Sequence, residues 1–269
     1  MYSHGCADLA PAGVIEAPLG YRRTIRLGKQ VVELRLHDDD GRLAVESARR
    51  LGKRDADRVR ALVARMFRLD QDLSPFYRLI ARDPQLGWAA SGAGRMLASP
   101  TVFEDVVKTI CTTNCAWSGT VRMTRALAEL GGGTFPEPET VAAAPDAWFR
   151  DVARMGYRGP YVRAIARDVA RGNLDLERFL PDRGLDDDAV EETLLALPGV
   201  GPYAAAHVMQ LLGRHRRLVL DSWTRPTYLR LTNKKRAADS TINRAFARYG
   251  EYAGLAFWLT LTQGWVKEA

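Results

Sequence analysis

Cysteine and long apolar runs are both scarce in this chain of 269 residues. Its three cysteines, Cys6, Cys111 and Cys115, are too few for a disulfide framework and wrongly spaced for a four-cysteine iron–sulfur cluster. No apolar run approaches the ~20 residues that span a bilayer, and the first residues lack the pattern of a signal peptide. The spacing of Cys111 and Cys115 favours packed thiols over metal ligands. These absences predict a cytoplasmic protein that does not associate with membranes.

Negative charge is also in deficit. Thirty-nine lysines and arginines face 32 aspartates and glutamates, which gives a net charge of +7 and a pI near 9.5. Such a balance favours an anionic partner, nucleic acid among them. With 46% hydrophobic and 26% charged residues, the chain can build one large domain or two small ones around an ample core.

Alternating apolar residues near the start of the chain predict β-strands. Residues 1–19 have the composition of a loose leader with alanine, proline and glycine. Val32, Leu34 and Leu36 then alternate with polar residues, which is typical of a half-buried strand. Three aspartates and a glycine over 38–41 predict a turn. Strands are expected within 21–27, 30–36 and 42–47.

Helical spacing begins past Asp55 and continues to the end of the chain. Ser99 and Pro100 are residue types that suit an N-cap and a first helical position, and an apolar stripe with helical spacing follows them. The expected fold class is α+β. We expect a leader over 1–19, a β-rich domain with linking helices over 20–98, and a helical domain over 99–269.

The most informative stretch of the sequence is a glycine hairpin followed by an aspartate. Gly199 and Gly201 precede a helix that Pro202 opens, and Asp221 comes 18 residues after Tyr203. A hairpin that opens a helix presents backbone N–H groups to an anion such as a DNA phosphate. Two simpler alternatives stay open: a helix–helix turn without a ligand, and an aspartate that only caps the next helix.

With this hairpin, three further segments resemble the helix–hairpin–helix (HhH-GPD) DNA glycosylase superfamily, which includes 3-methyladenine DNA glycosylase II and 8-oxoguanine glycosylase. The resemblance covers roughly residues 60–266. It implies a mostly helical, two-lobed fold with a small N-terminal antiparallel sheet and a helix–hairpin–helix at about 188–213. The further segments are 103–114 (FEDVVKTICTTN), 154–166 (RMGYRGPYVRAIA) and 252–258 (YAGLAFW) with Gly264 and Trp265.

The resemblance implies that Asp221 is the catalytic carboxylate. An aspartate beneath the sugar stabilises the oxocarbenium charge that develops when an N-glycosidic bond breaks, and it can orient or deprotonate the attacking water. Tyr203 stands where bifunctional members carry a lysine that forms a Schiff base. Because a phenol cannot form that iminium, the resemblance implies a monofunctional enzyme without lyase activity.

The resemblance also implies which residues would contact the damaged base. Tyr203, Trp223 and His207 are the candidates for the base pocket, and each has an ordinary packing role as its alternative. Asn114 lies where the family inserts a side chain into the gap left by an extruded base. An asparagine there is similar to the 8-oxoguanine branch, and Thr260 replaces an aromatic residue of the alkyl-base branch.

DNA contacts and a cation are implied in the same way. Backbone groups at Gly199, Gly201 and Ala204 would hold a phosphate, which positions the enzyme without reading sequence. Independently of the resemblance, Arg214 in the basic run 213–217 and Arg225 are candidate phosphate contacts. No cofactor is expected beyond a monovalent cation, and its candidate ligands are the backbone carbonyls of Leu195, Leu197 and Val200.

The sequence therefore predicts a monomeric base-excision-repair glycosylase that acts on double-stranded DNA. The favoured substrate is an alkylated purine such as 3-methyladenine, and the location is cytoplasmic, at the nucleoid in a bacterium. The alternatives are a glycosylase for oxidised guanine and a non-catalytic protein that binds DNA lesions.

Overall fold

The computed structural model describes residues 3–265, which form many helices and one antiparallel sheet. The sheet is a meander in the order β1-β2-β3-β4. None of the helices in this part of the chain combines the length and apolar character needed to cross a bilayer. The strands are β1 (Ala12–Glu16), β2 (Leu19–Leu27), β3 (Gln30–Asp39) and β4 (Arg42–Ser47).

The three strands predicted from alternation are confirmed as β2, β3 and β4. Gly41 N–H donates to Asp38 Oδ1 over 3.0 Å at the predicted turn. One face of the sheet packs on helix α1 (Lys53–Met66), because alternate strand residues and one helical stripe are apolar. The buried residues of this core include Tyr21, Ile25, Leu34, Leu36, Val59, Val63 and Met66.

The prediction of a loose leader over 1–19 is wrong for the residues that the structure describes. β1 pairs antiparallel with β2, with Ala12 opposite Arg23, and Val14 N–H donates to Asp8 Oδ1 over 2.7 Å. Pro11 and Pro18 flank this short edge strand, where a missing N–H is tolerated. The prolines and glycines that suggested a leader therefore delimit a strand.

Within the described residues, ten further α-helices form two lobes around separate hydrophobic cores. One core gathers residues from α3, α4, α6, α7 and α8, and the other gathers residues from α2, α9, α10 and α11. The α2 residues, placed with the sheet in the predicted division, pack in the second core. The helices are α2 (Ser74–Ile80), α3 (Val102–Thr112), α4 (Trp117–Leu130), α5 (Pro138–Ala143), α6 (Arg158–Ala170), α7 (Asp187–Ala196), α8 (Pro202–Leu211), α9 (Thr224–Leu231), α10 (Asp239–Phe246) and α11 (Ala253–Thr262).

Helix α3 begins two residues later than the sequence predicts. The cap is Thr101, whose hydroxyl accepts from Glu104 N–H over 3.2 Å. Ser99 N–H donates to Asp105 Oδ1 over 2.8 Å, so Ser99 lies outside the helix. The predicted apolar stripe of α3 is confirmed and is buried in the first core.

Candidate active site

The glycine hairpin joins α7 to α8, as the sequence predicts. Val200 N–H donates to Leu197 O over 3.1 Å, and Ala205 N–H makes the first helical bond, to Gly201 O over 2.9 Å. The N–H groups of Tyr203 and Ala204 precede that bond, so they have no acceptor within the helix. Gly201 borders open space. The hairpin therefore presents unpaired backbone donors on an accessible face, which suits an anion.

Gly199 has a separate role in shaping this hairpin. Its φ is +81°, and a Cβ atom there would lie 2.6 Å from Cδ2 of Tyr161. Both the left-handed backbone and the close approach of the Tyr161 ring require glycine. Gly199 thus allows the hairpin to pack against α6.

Asp221 caps the start of α9 and lies at the edge of a cavity. Its Oδ1 accepts from Trp223 N–H over 2.8 Å and from Thr224 N–H over 2.6 Å, while Asp221 N–H donates to the Thr224 hydroxyl over 2.7 Å. No hydrogen bond reaches Oδ2 from any residue between 3 and 265. Asp221 therefore both caps the helix and lines the cavity. Its Oδ1 is held in place, while Oδ2 stays available to a ligand.

The cavity lies between the end of α3, the hairpin and the start of α9. Its volume is about 810 Å³, within the range of ligand pockets. It brings Asp221, Tyr203 and Asn114 together with the hairpin, as the sequence predicts. The lining residues are Thr112, Thr113, Asn114, Cys115, Tyr157, Gly199, Gly201, Pro202, Tyr203, Ala204, Leu220, Asp221, Ser222, Arg225 and Pro226.

Tyr203 stands on the first turn of α8 with its hydroxyl fixed. The phenol oxygen lies 3.0 Å from the Thr112 hydroxyl, in a hydrogen bond between α8 and α3. Burial is the main reason that the pKa of Tyr203 is raised, so the phenol stays protonated at neutral pH. The side chain supplies an aromatic surface and a neutral hydroxyl to the cavity.

Asn114 lies just after α3 and is exposed at the cavity edge. Its Nδ2 donates to the Tyr157 hydroxyl over 3.3 Å, and this bond is the main reason that the pKa of Tyr157 is lowered. The Arg158 guanidinium stacks on the Tyr157 ring at 4.5 Å and donates to Thr113 O. Tyr157 was not among the predicted site residues, although its place after the Gly156 turn was the available signal.

Arg214 was predicted to contact DNA, and the structure contradicts this. The residue is 7% exposed. Its guanidinium donates to Asp187 Oδ1 over 2.6 Å, to Phe179 O over 2.9 Å and to Leu185 O over 2.7 Å. The basic run around Arg214 suggested a solvated loop, but this side chain instead ties the start of α7 to the preceding segment.

His207 was predicted to contact the base, and this is also wrong. It is 4% exposed and lies beneath Tyr203, with ring centroids 6.0 Å apart, instead of lining the cavity. Burial lowers its pKa to about 3, so the imidazole is neutral. His207 lies on the same helical face as Tyr203, four residues later, but at His207 that face points into the protein interior.

Trp223 does not line the cavity either. It is partly exposed and packs against Trp258 and Trp265, with centroids 5.8 and 5.4 Å away. The Thr260 hydroxyl donates to Ala256 O within α11, and Thr260 is likewise outside the lining. The structure thus places a tryptophan cluster beside the cavity, while its aromatic lining consists of Tyr157 and Tyr203.

Arg225 lines the cavity, and its guanidinium forms two 2.8 Å hydrogen bonds with the Asp239 carboxylate. The predicted cation ligands Leu195, Leu197 and Val200 lie along the end of α7 and the hairpin. Leu197 O already accepts from Val200 N–H, but a carbonyl has a second lone pair. The Leu197 carbonyl can therefore still accept a cation, and cation binding at these residues stays a prediction.

Comparison with models of known protein families finds no match. The chain is 27% identical over 228 residues to a probable N-glycosylase/DNA lyase of Methanothermobacter thermautotrophicus, covering 72% of this chain and 71% of that protein. A 3-methyladenine DNA glycosylase from Archaeoglobus fulgidus matches in structure with a TM-score of 0.75 at 19% identity, covering 100% of this chain and 95% of the other.

The 8-oxoguanine glycosylase/lyase of Clostridium acetobutylicum matches with a TM-score of 0.72 at 18% identity, covering 95% of this chain and 90% of the other. Its structure in complex with double-stranded DNA matches with a TM-score of 0.71. The neighbours thus carry names from both the alkyl-base and the oxidised-base branches. This chain has the fold of the helix–hairpin–helix DNA glycosylases, and the relatives it matches in sequence and in structure are DNA glycosylases.

Proposed function

We propose that this chain is a DNA glycosylase that extrudes a damaged purine into the cavity beside Asp221 and hydrolyses its N-glycosidic bond. The observation that carries the proposal is the carboxylate of Asp221, held by two backbone amides through one oxygen, beside the hairpin that opens α8. Phosphate contacts at the hairpin would position the strand, and the free carboxylate oxygen would face the sugar.

The chemistry needs only one carboxylate. When the bond from the sugar carbon to the base nitrogen breaks, the base leaves with the bonding electrons and the sugar becomes an oxocarbenium ion. Asp221 stabilises that positive charge and can accept a proton from the attacking water. Asp221 is the single acidic residue among the described residues that line the cavity. The products are a free base and an abasic site.

The positions of the lysine amines support the absence of lyase activity. No lysine is among the described lining residues. Lys108 on α3 is buried, with its ammonium 2.8 Å from Glu104 Oε1 and donating to Leu9 O over 3.0 Å. Neither this amine nor the Tyr203 phenol can attack the sugar carbon, so we propose that the strand is left intact.

The electrostatics of the cavity favour a cationic base. Asp221 contributes negative charge, and the one basic side chain in the described lining, Arg225, is paired with Asp239. The rings of Tyr157 and Tyr203 offer faces that attract an electron-poor purine. An alkylated purine such as 3-methyladenine is therefore the proposed substrate class.

Oxidised guanine is the second candidate substrate. Asn114 supports it, because an asparagine at the cavity edge is the feature that resembles the 8-oxoguanine branch. The name of the Clostridium protein, an 8-oxoguanine glycosylase/lyase, points the same way, while that of the Methanothermobacter protein says only N-glycosylase/DNA lyase. The lysine needed for their named lyase step has no counterpart in the described cavity lining.

Base release from methylated duplex DNA by the wild type and Asp221→Asn tests the proposal, with an 8-oxoguanine duplex in parallel. We expect the wild type to release methylated purine, and Asp221→Asn to lose at least ~100-fold in rate, as groups that stabilise transition-state charge do. The variant should keep its fold and its binding to abasic DNA, because an asparagine oxygen still accepts the two amide bonds.

Asp72→Asn is the matched control, since Asp72 also accepts from a backbone amide, that of Ser74, at a helix start outside the cavity. Unchanged release by Asp221→Asn would overturn the mechanism. Release of 8-oxoguanine alone would select the second candidate. No release from either duplex, with tight binding to abasic DNA, would indicate a lesion-binding protein.

A further inference from the structure

Two histidines and a cysteine meet in a buried cluster behind Tyr203, outside the cavity lining. His4 and Cys6 come from the segment before β1, and His207 comes from α8. One ligand atom from each lies within 4.8 Å of the other two, and the residues are 6%, 9% and 4% exposed. We call these three residues the His–Cys cluster.

The hydrogen bonding of the His–Cys cluster leaves two imidazole nitrogens without partners. His4 Nε2 lies 2.6 Å from Leu97 O, and because a carbonyl only accepts, this nitrogen carries the proton. His4 Nδ1 is therefore the unprotonated nitrogen. It is buried without a partner among the described residues, as is His207 Nε2. Buried polar atoms are normally satisfied, so two such nitrogens beside one thiol need an explanation.

We propose that the His–Cys cluster binds one zinc-class metal ion. Two imidazoles and one thiolate are ligands that Zn²⁺ prefers, and the carboxylates and carbonyls that select Ca²⁺ or Mg²⁺ are not in the cluster. The bond from His4 Nε2–H to Leu97 O is the outer contact that orients a ligating histidine and fixes its tautomer. The ligand atoms of a tetrahedral zinc with two nitrogens and one sulfur are about 3.3–3.6 Å apart, so binding would draw the three residues together by at most about 1.5 Å.

Binding at the cluster must release a proton. A cysteine is mostly a neutral thiol at pH 7, and it binds a metal as the thiolate. Zn²⁺ then displaces that proton to the buffer as the sulfur–metal bond forms, with no change in oxidation state.

The metal would connect the start of the chain to the helix that forms the cavity wall. His207 lies one turn beyond Tyr203 on α8, and His4 packs edge-on to it with centroids 5.6 Å apart. The neighbouring Ser3 O accepts from Trp258 Nε1 of α11 over 2.8 Å. The inferred role is structural: the ion would hold the N-terminal segment between α8 and α11. It does not depend on the proposed glycosylase activity.

Cobalt(II) titration of the metal-free 269-residue chain tests the site, because cobalt replaces zinc and its thiolate bond gives a near-ultraviolet charge-transfer band. We expect one equivalent to bind, one proton to be released per ion, and added Zn²⁺ to abolish the band. Cys6→Ser should lose the band and the proton. His207→Gln should weaken binding at least tenfold.

Matched controls separate the cluster from other thiols and histidines. Cys115→Ser removes the exposed thiol, and His215→Gln removes another buried histidine; both should bind cobalt as the wild type does. Circular dichroism shows whether each variant folds, and His4→Gln is the further ligand variant if His207→Gln does not. The proposal fails if the wild type binds no cobalt, if Cys6→Ser keeps the band, or if Cys115→Ser loses it.

Discussion

Position 203 decides which reaction the proposed enzyme can perform. Tyr203 presents a protonated phenol fixed to Thr112, and Lys108 is held by Glu104. A Schiff base needs an unprotonated amine in contact with the sugar carbon. Under the proposed mechanism the reaction therefore stops at hydrolysis, because the phenol at position 203 cannot form a Schiff base.

The first prediction at the residue scale is that borohydride traps no covalent complex between the wild type and DNA with an abasic site. The strand should stay intact until it is treated with alkali. Gel electrophoresis under denaturing conditions measures both results, with a known bifunctional glycosylase as the positive control. A trapped wild-type complex that Lys108→Gln abolishes would show that Lys108 leaves its ion pair, contrary to the proposed mechanism.

At the scale of the element, the two hairpin glycines serve different purposes. Gly199 has a positive φ and no room for a Cβ beside Tyr161, whereas Gly201 has an extended backbone, φ −100° and ψ −177°, beside open space. Gly199 is thus required by the fold. The fold does not require glycine at position 201, so the glycine there would serve to let a phosphate approach the backbone.

Alanine at each position separates these roles. Gly199→Ala should lower the free energy of unfolding by about 1–3 kcal/mol, because a non-glycine residue is strained there. Gly201→Ala should change it by less than about 0.5 kcal/mol yet weaken binding to abasic DNA. Urea unfolding and fluorescence anisotropy at fixed salt measure the two effects. Wild-type binding by Gly201→Ala would mean that no phosphate contacts the hairpin.

The elements that the sequence predicted well are those fixed by local patterns. The hairpin, the α3 stripe and strands β2 to β4 follow from residue spacing and turn chemistry, which act over a few neighbours. The position of Asp221 beside the hairpin followed from the resemblance, and the structure agrees with it.

The predictions that were wrong concern residues whose partners lie far away in the sequence. Arg214 is buried because backbone carbonyls at Phe179 and Leu185 accept from it, and no local pattern reveals such partners. His207 faces inward because His4, 203 residues earlier in the chain, packs against it. Strand β1 exists because β2 offers it an edge, which outweighs its short length and flanking prolines.

For the molecule as a whole, buried ionisable groups link stability to pH. Burial lowers the pKa of His4 to about 4 and those of His207 and His215 to about 3. Burial alone would raise the pKa of Glu104, but Arg23 and Lys108 lower it to about 2. The histidines and this glutamate therefore change the stability of the fold in different pH ranges.

The last prediction is that metal-free protein loses stability as the pH falls from 7 to 5. Above pH 6.5 these histidines are neutral in both the folded and the unfolded chain, so they add no pH dependence. Below pH 6.5 these histidines become protonated in the unfolded chain but stay neutral in the folded chain. Each histidine then lowers the free energy of unfolding by up to about 1.4 kcal/mol per pH unit. Glu104 contributes nothing in this range, because its stabilisation is lost only below its unfolded pKa near 4.5.

Urea unfolding in the presence of a chelator at pH 7, 6 and 5 measures this slope. His215→Gln should reduce the slope by about a third while leaving the His–Cys cluster intact, since one of three comparable histidines is removed. A flat wild-type profile would mean that the buried imidazoles are protonated in the fold. An unchanged slope in His215→Gln would assign the proton uptake to other groups.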